Sequence, residues 1–408
     1  MGYKDPSRPA AAPEQGLMTE VLDLLWRRRE VSRAEVARHT GRSRSTISDA
    51  VARLLNTGLV EEVGSGQSRG GRRPILIGFR DDAGVILGVD LGATHVSVIL
   101  TDLRGSVLAW RDRGYPVRTD PGGAGKLVVE LCRNCLAEWN GDGGLLMGIG
   151  VAVPSPVDPE SPDRVLERIH PAWRGRAILD RLDAAFGAPV FVDNDANLGA
   201  VAERWWGKAL GVDDFLYLKV ATGVGAGLMI GGEIYRGSTG VAGEIGHIVV
   251  DPRGPECVCG SHGCLATFVG TQALIERTRV LLRTSPPSAL ANRDLDIKII
   301  EDAALSEDPV ALRVVHEAAH HLGIALAGVL NLLNPGSVVI GGSLARAGDR
   351  LLVPLREAVL RRTLVTSAAA AEIVVSELGP HATALGAATH VLVAALANPA
   401  LFPGVTSA

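Results

Sequence analysis

The sequence predicts a winged helix-turn-helix (α+β) at the N-terminus followed by a two-lobed α/β body. Three observations lead there. Helix signals, a glycine turn and a Gly/Arg-rich loop follow one another within the first 80 residues. Beyond them, strand–glycine turn–strand units recur more than a hundred residues apart. One histidine and three closely spaced cysteines mark a loop stapled by a metal.

The 408 residues allow two or three domains and a large core. A hydrophobic share of 47% with 21% charged residues is that of a soluble globular protein. Five cysteines, three of them in one cluster, argue against a disulfide framework and for a reducing cytoplasm. Cys132 and Cys135 form a CxxC inside an amphipathic helical stretch, Lys126 to Leu136, and read as helix residues, not a redox pair. No apolar run approaches membrane-spanning length, and the polar start, Met1 to Gln15, is no secretory signal. Charge is unevenly spread. Residues 1–80 hold 14 Lys/Arg against 9 Asp/Glu, and the remainder holds 27 against 36. A basic module on an acidic body fits a polyanion-binding head.

Residues 1–12 read as a disordered Ala/Pro-rich tail, and 13–80 as the head. Leu17 to Trp26 carries apolar residues at helical spacing. Ser32-Arg-Ala-Glu35 is a capping-box start for a short second helix reaching about His39, and Thr40-Gly41 makes the turn. Ser43 caps a third helix that runs to Asn56 and stops at Gly58. Ile47, Val51, Leu54 and Leu55 share its inner face. Arg44, Ser45, Thr46 and Ser48 then face outward near its N-terminus, where a recognition helix meets base edges in the major groove. Leu59–Val63 and Pro74–Phe79 read as a hairpin around a cationic loop. Arg69, Arg72 and Arg73 of that loop are candidates for phosphate or minor-groove contacts with double-stranded DNA.

The body reads as a first lobe at 83–205, a second lobe at 206–380, and a C-terminal helix at 381–398 returning to the first lobe. Val85–Asp90 and Val96–Thr101 are buried strands around Leu91-Gly-Ala-Thr94, and Asp90 beside that turn suits a metal-bound phosphate. Leu216–Ile230 repeats the unit around Gly223 and Gly225, and Ser337–Ser343 ends a further strand in a glycine pair. Glycine turns facing a cleft between the lobes would let backbone N–H groups approach phosphates. Pro189–Asn197 is a strand running into a helix that Asp195 can cap. Asn194 and Asp195 would also project into the cleft, where a carboxylate can take sugar hydroxyls or act as general base. Glu244 and His247 complete a polar cluster suited to a sugar.

His247, Cys257, Cys259 and Cys264 stand as H-x9-C-x-C-x4-C, with Gly260 and Gly263 letting the chain double back. One imidazole and three thiolates are what a closed tetrahedral zinc site requires, so its role is structural. His262 lies inside the same loop and could be mistaken for a ligand. His316 and His320 stand four apart on one helix, but no carboxylate motif or cysteine accompanies them.

From about Pro13 to Thr389 the chain resembles the ROK family, which joins sugar kinases and sugar-responsive repressors in a hexokinase/actin-like (ribonuclease-H-like) fold. The zinc motif and Asn194-Asp-Ala-Asn197 carry the resemblance most specifically. It implies that Asn194, Asp195, Glu244 and His247 contact a sugar. It implies that His247, Cys257, Cys259 and Cys264 hold zinc. In the kinases, positions matching Gly92, Thr94, Gly223 and Gly225 surround ATP phosphates, with Asp195 as catalytic base. The chain departs from the kinase pattern at several points. Ala93 replaces a glycine in a turn that would need positive φ. Ala221 and Ser155 replace two further glycines. Ala266 replaces a sugar-binding glutamate, a contact worth about 1.5–3 kcal/mol when charge-assisted.

Three functions are therefore expected in order. The first is a sugar- or sugar-phosphate-responsive transcriptional repressor, not an enzyme, acting as a homodimer or higher homo-oligomer on operator DNA. The second is a sugar kinase using ATP and Mg2+ that kept a DNA-binding head. The third is a zinc-stabilised DNA-binding scaffold without a ligand.

Overall fold

The computed structural model describes residues 13–67, 73–139, 145–158, 161–165, 177–284, 287–364 and 371–398. The expected tail at 1–12 and the wing residues Arg69 and Arg72 lie outside the described residues.

The head contains helices α1 (Pro13–Arg28), α2 (Arg33–Thr40) and α3 (Arg44–Asn56) and strands β1 (Glu30–Ser32), β2 (Val60–Ser65) and β3 (Ile75–Phe79). The capping box is formed in both directions: the Ser32 hydroxyl accepts from Glu35 N–H, and Glu35 accepts from Ser32 N–H at 2.8 Å. Gly41 supplies the left-handed turn (φ 67°) that a side chain would resist. Ser43 caps α3 by accepting from Thr46 N–H at 3.1 Å. Ile47, Val51 and Leu54 are buried against α1 and α2, and Leu55 is half-buried. The hairpin gains a third strand that sequence pattern did not reveal, because β1 has only three residues. The sheet order is β1-β3-β2, all antiparallel.

The body has two sheets of matching design. The first is built from β4 (Gly84–Leu91), β5 (His95–Asp102), β6 (Val107–Gly114), β7 (Leu145–Val153) and, after the short hairpin β8 (Val157–Asp158) and β9 (Ser161–Val165), β10 (Val190–Asn194). The second is built from β11 (Phe215–Val220), β12 (Val224–Ile230), β13 (Glu233–Ile234), β14 (Ser337–Gly341) and β15 (Glu372–Val375). Their orders, β10-β7-β4-β5-β6 and β13-β12-β11-β14-β15, superpose when one is read backwards. In each, three consecutive strands run antiparallel and two more join in parallel through helical crossovers. The first lobe adds α4 (Pro121–Glu138), α5 (Ala177–Phe186) and α6 (Asp195–Trp206). The second adds α7 (Ala266–Val269), α8 (Thr271–Leu282), α9 (Ile297–Leu305), α10 (Pro309–Leu333) and α11 (Asp349–Leu360). Cys132 and Cys135 are both buried on the inner face of α4 and unpaired.

The last helix, α12 (Ala382–Ala397), leaves the second lobe and packs on the first sheet and on α6. Glycines permit the approach. A Cβ on Gly150 would lie 1.9 Å from the Ala387 carbonyl, and one on Gly386 would lie 1.8 Å from the Leu198 carbonyl. Together with the preceding turn, Gly379–Ala397 makes a 19-residue segment long and apolar enough to cross a membrane, which corrects the expectation of no such run. Two-thirds of it is buried inside the protein (67%), so its apolar character serves the core.

The head is not held by the linker alone. Met18, Leu22 and Leu25 of α1 belong to the same buried cluster as Leu385, Val391 and Leu392 of α12. Trp26 Nε1–H donates to the Leu103 carbonyl at 3.0 Å, and its ring meets Trp205 and Trp206 at the end of α6. The Arg104 guanidinium lies 4.7 Å from the Trp26 ring centre and pairs with Asp81 at 2.8 Å.

Candidate functional site: cleft, metal cluster and nucleic-acid face

On the head, Arg44, Ser45, Thr46 and Ser48 are all exposed on the first two turns of α3. The Ser45 and Thr46 hydroxyls both lie 2.8 Å from the Ser43 hydroxyl, so the cap pre-orders them. A groove between the helices and the wing is lined by Arg33, Arg44, Ser48 and Arg73. Arg33 escaped sequence reasoning because it is also the first residue of α2. It pairs with Glu62 of β2 at 3.0 Å.

In the body, Asp193, Asn194 and Asp195 occupy the junction of β10 and α6. The helix cap is Asn194, not Asp195. The Asn194 side-chain oxygen accepts from Ala196 N–H at 2.9 Å and Asn197 N–H at 3.3 Å, while its amide donates to the Ser155 carbonyl at 3.3 Å. Asn194 is the extended residue immediately before the helix, which is the position from which a side chain reaches those donors. Asp195, one residue further on, is thereby released toward the cleft. There its Oδ2 lies 2.9 Å from Lys219 Nζ of β11. Lys219 is also 3.8 Å from Asp90 Oδ2 and 3.4 Å from the Thr383 hydroxyl of α12. Burial alone would lower the lysine; the Asp195 and Asp90 carboxylates outweigh it and hold the ammonium above the ordinary lysine range. Burial likewise acts to raise Asp90, and Lys219 and His95 reverse that, keeping it below the usual carboxylate range.

His95 Nε2 lies 3.5 Å from Asp90 Oδ2. Its ring covers the turn after β4, where a Cβ on Gly92 would meet the imidazole at 2.2 Å. Thr94 is exposed at the same turn, and Ala93 does not have positive φ, so the expected strain of a methyl there does not arise. Gly223, with open space around it, and Gly225, beside Ala196, sit at the β11–β12 turn facing α6. Arg236 of the second lobe pairs with the buried Asp193; that pair, Lys219 and His95 were not singled out from the sequence. Lys219 is the one charged residue in an otherwise apolar strand, Phe215–Val220, and that was the available signal.

Glu244 precedes a single 3-10 turn, Ile245–His247, which His247 ends. Burial first, and then the Asp195 charge, raises the Glu244 carboxyl. Its Oε2 lies 3.8 Å from His247 Nε2, while the other ring nitrogen, Nδ1, lies 3.5 Å from Cys257 Sγ. His247 thus touches the polar cluster with one nitrogen and the cysteine cluster with the other. The donor atoms of His247, Cys257, Cys259 and Cys264 lie within 4.8 Å of one another, a set able to hold a metal ion. Gly263 (φ 68°) makes this possible: a Cβ there would lie 1.5 Å from the Asp251 carbonyl. A hydrogen bond from the Ser261 backbone leads the causes that draw the exposed Cys259 thiol down to about 7. His320 instead lies against Arg362, and His321 stacks on Phe268 with ring centres 4.2 Å apart.

These features define a DNA-binding head on a sugar-kinase-like body. The chain belongs to the ROK family, whose sequence pattern matches residues 86–394, and an IclR helix-turn-helix domain matches residues 19–64. It is 30% identical to the xylose repressor of Bacillus subtilis (strain 168) over 362 residues, covering 89% of this chain and 91% of that one. Among solved structures it resembles a ROK family transcriptional regulator, a homolog of the E. coli MLC protein. That match has a TM-score of 0.81 and 27% identity, and covers 97% of this chain and 99% of that one. A ROK family glucokinase from Streptomyces griseus, in complex with glucose and AMPPNP, matches with a TM-score of 0.65 and 30% identity. It covers 75% of this chain and 99% of that chain.

Proposed function

We propose that the protein is a sugar-responsive transcriptional repressor that binds operator DNA as a homodimer and carries structural zinc. The observation that carries this is the direct attachment of a winged head to the helix whose other end bears Asn194 and Asp195. Helix α6 has 12 residues, which is about 18 Å at 1.5 Å per residue. Its N-terminus faces the cleft, and Trp205 and Trp206 at its C-terminus meet Trp26 of the head. A sugar held by Asn194, Asp195, Glu244 and His247 that prefers one lobe arrangement would therefore move the head through a rigid element. Arg44, Ser45, Thr46 and Ser48 would read base edges, and Arg73, with Arg69 and Arg72, would follow the phosphates.

Whole-chain similarity to repressors supports regulation over catalysis, since the glucokinase match covers 75% of this chain against 97% for the transcriptional regulator. Three thiols and an imidazole favour zinc over harder ions. Five unpaired cysteines and a DNA-binding head support a cytoplasmic location. The test is footprinting of the full-length protein on the region upstream of its own gene, with and without xylose, glucose and N-acetylglucosamine. A protected site that one sugar releases is expected. Equal affinity for that region and for random duplex would refute the reading.

A further inference from the structure

The kinases of this fold family imply a divalent metal and a nucleotide in the cleft, and the residues present here do not fit them. Asp90 and Asp195, carboxylates that such a metal would use, already share an ammonium through Oδ2, while the buried Asp90 Oδ1 has no partner. Lys219 Nζ is 2.9 Å from Asp195 Oδ2 and 3.8 Å from Asp90 Oδ2, with the lysine side chain only 12% exposed. The lysine comes from the second lobe, Asp90 and Asp195 come from the first, and Thr383 of α12 adds a contact at 3.4 Å. The ammonium is thus a positive charge that spans the cleft, as the Arg236 guanidinium does beside it on Asp193. His95 completes the obstruction. Its ring lies over Gly92, on the turn whose backbone would have to approach a phosphate.

We propose that Lys219 is the specificity-determining residue of the cleft: its ammonium takes the place of a divalent cation between Asp90 and Asp195 and reserves the site for a sugar without metal nucleotide. A metal ion would have to displace a buried ammonium from its two partners or sit beside it, and either arrangement sets like charges within a few ångströms in a poorly solvated place. Asp195, with one oxygen held by Lys219, serves as a hydroxyl acceptor. The lysine also ties the lobes together without a nucleotide, leaving sugar binding as the event that alters their arrangement. This inference rests on reading the cleft as the ligand site.

The test uses Mn2+ as the probe. Full-length, zinc-loaded protein is titrated with Mn2+ while free ion is followed by electron paramagnetic resonance, with and without the non-hydrolysable analogue AMPPNP. Four proteins are compared: wild type, Lys219→Arg, Lys219→Met, and Lys219→Met combined with Asp195→Asn. The wild type and Lys219→Arg should leave Mn2+ free up to about millimolar concentration, and Lys219→Met should bind it about tenfold tighter or better. The added Asp195→Asn change should abolish the gain. Binding by the wild type or by Lys219→Arg as tight as that by Lys219→Met would overturn the proposal. So would a folded Lys219→Met protein, verified by melting and zinc content, that gains nothing. If Lys219→Met does not fold, Lys219→Thr replaces it under the same criteria, and the wild-type and arginine arms still decide. The readout involves neither DNA nor sugar, so its failure is separate from failure of the repressor reading.

Discussion

Trp26 of the head and Trp205 of the body meet edge to face, with ring centres 4.9 Å apart. Trp206 stands 6.0 Å from the same ring and donates its indole N–H to Thr389 of α12 at 2.7 Å. The joint between head and body is therefore aromatic and directional, not a loose tether, and Arg104 clamps it from the Trp26 side.

Trp26→Ala should loosen that joint at a cost of about 2 kcal/mol, because the ring is only half-buried and also loses its cation–π partner. Thermal melting and limited proteolysis between residues 28 and 33 report the change. A sugar should still bind the body but no longer alter DNA affinity.

Arg44→Ala should weaken operator binding by about 1–3 kcal/mol and leave zinc content unchanged. Fluorescence anisotropy across a salt series separates its two possible roles. Loss confined to the specific site marks base contact, whereas a shallower salt slope marks phosphate contact.

Cys259→Ser should cost the protein its zinc, measured as metal per chain by mass spectrometry, and lower the melting temperature of the body. The same loss should release His247 and with it Glu244, so sugar affinity falls. A full zinc equivalent in the variant would remove it from the ligand set.

His95 gives a pH test. Burial acts to lower its pKa, and the Asp90 carboxylate reverses this and raises it above 6.5. A raised folded-state value means that the histidine contributes its stability fully below 6.5 and loses it as pH climbs through the folded value. The melting temperature of wild type minus that of His95→Asn should therefore be largest in mild acid and shrink on the alkaline side. A difference that grows with pH would contradict the assignment.

Legibility differed between the parts of the molecule for physical reasons. The head could be read almost residue by residue, since Ser32, Glu35, Gly41 and Ser43 act on their own neighbours within four positions. The gathering of His247, Cys257, Cys259 and Cys264 was equally plain, because the four lie close in sequence and turn on glycines. Strand β1 was not, being too short to show a period and formed only by pairing with β3. At the cleft, the pattern Asn194-Asp195 was visible but the division of labour was not. Which of the two caps α6 depends on where the helix begins, and a shift of one residue exchanges their roles. Lys219 was hidden for another reason: Asp90, Asp195 and Thr383 come from three elements far apart in the chain, and only the assembled fold brings them to one ammonium.

Helix α12 also sets an order of assembly on the ribosome. The slab that covers the first sheet and the underside of α1 emerges only after the whole second lobe has been synthesised. Until then the nascent N-terminal half holds Leu22, Ile86 and Met147 beside a vacant berth, bare to solvent and to chaperones. The face of α1 that packs on α12 is thus completed only once the second lobe has been translated.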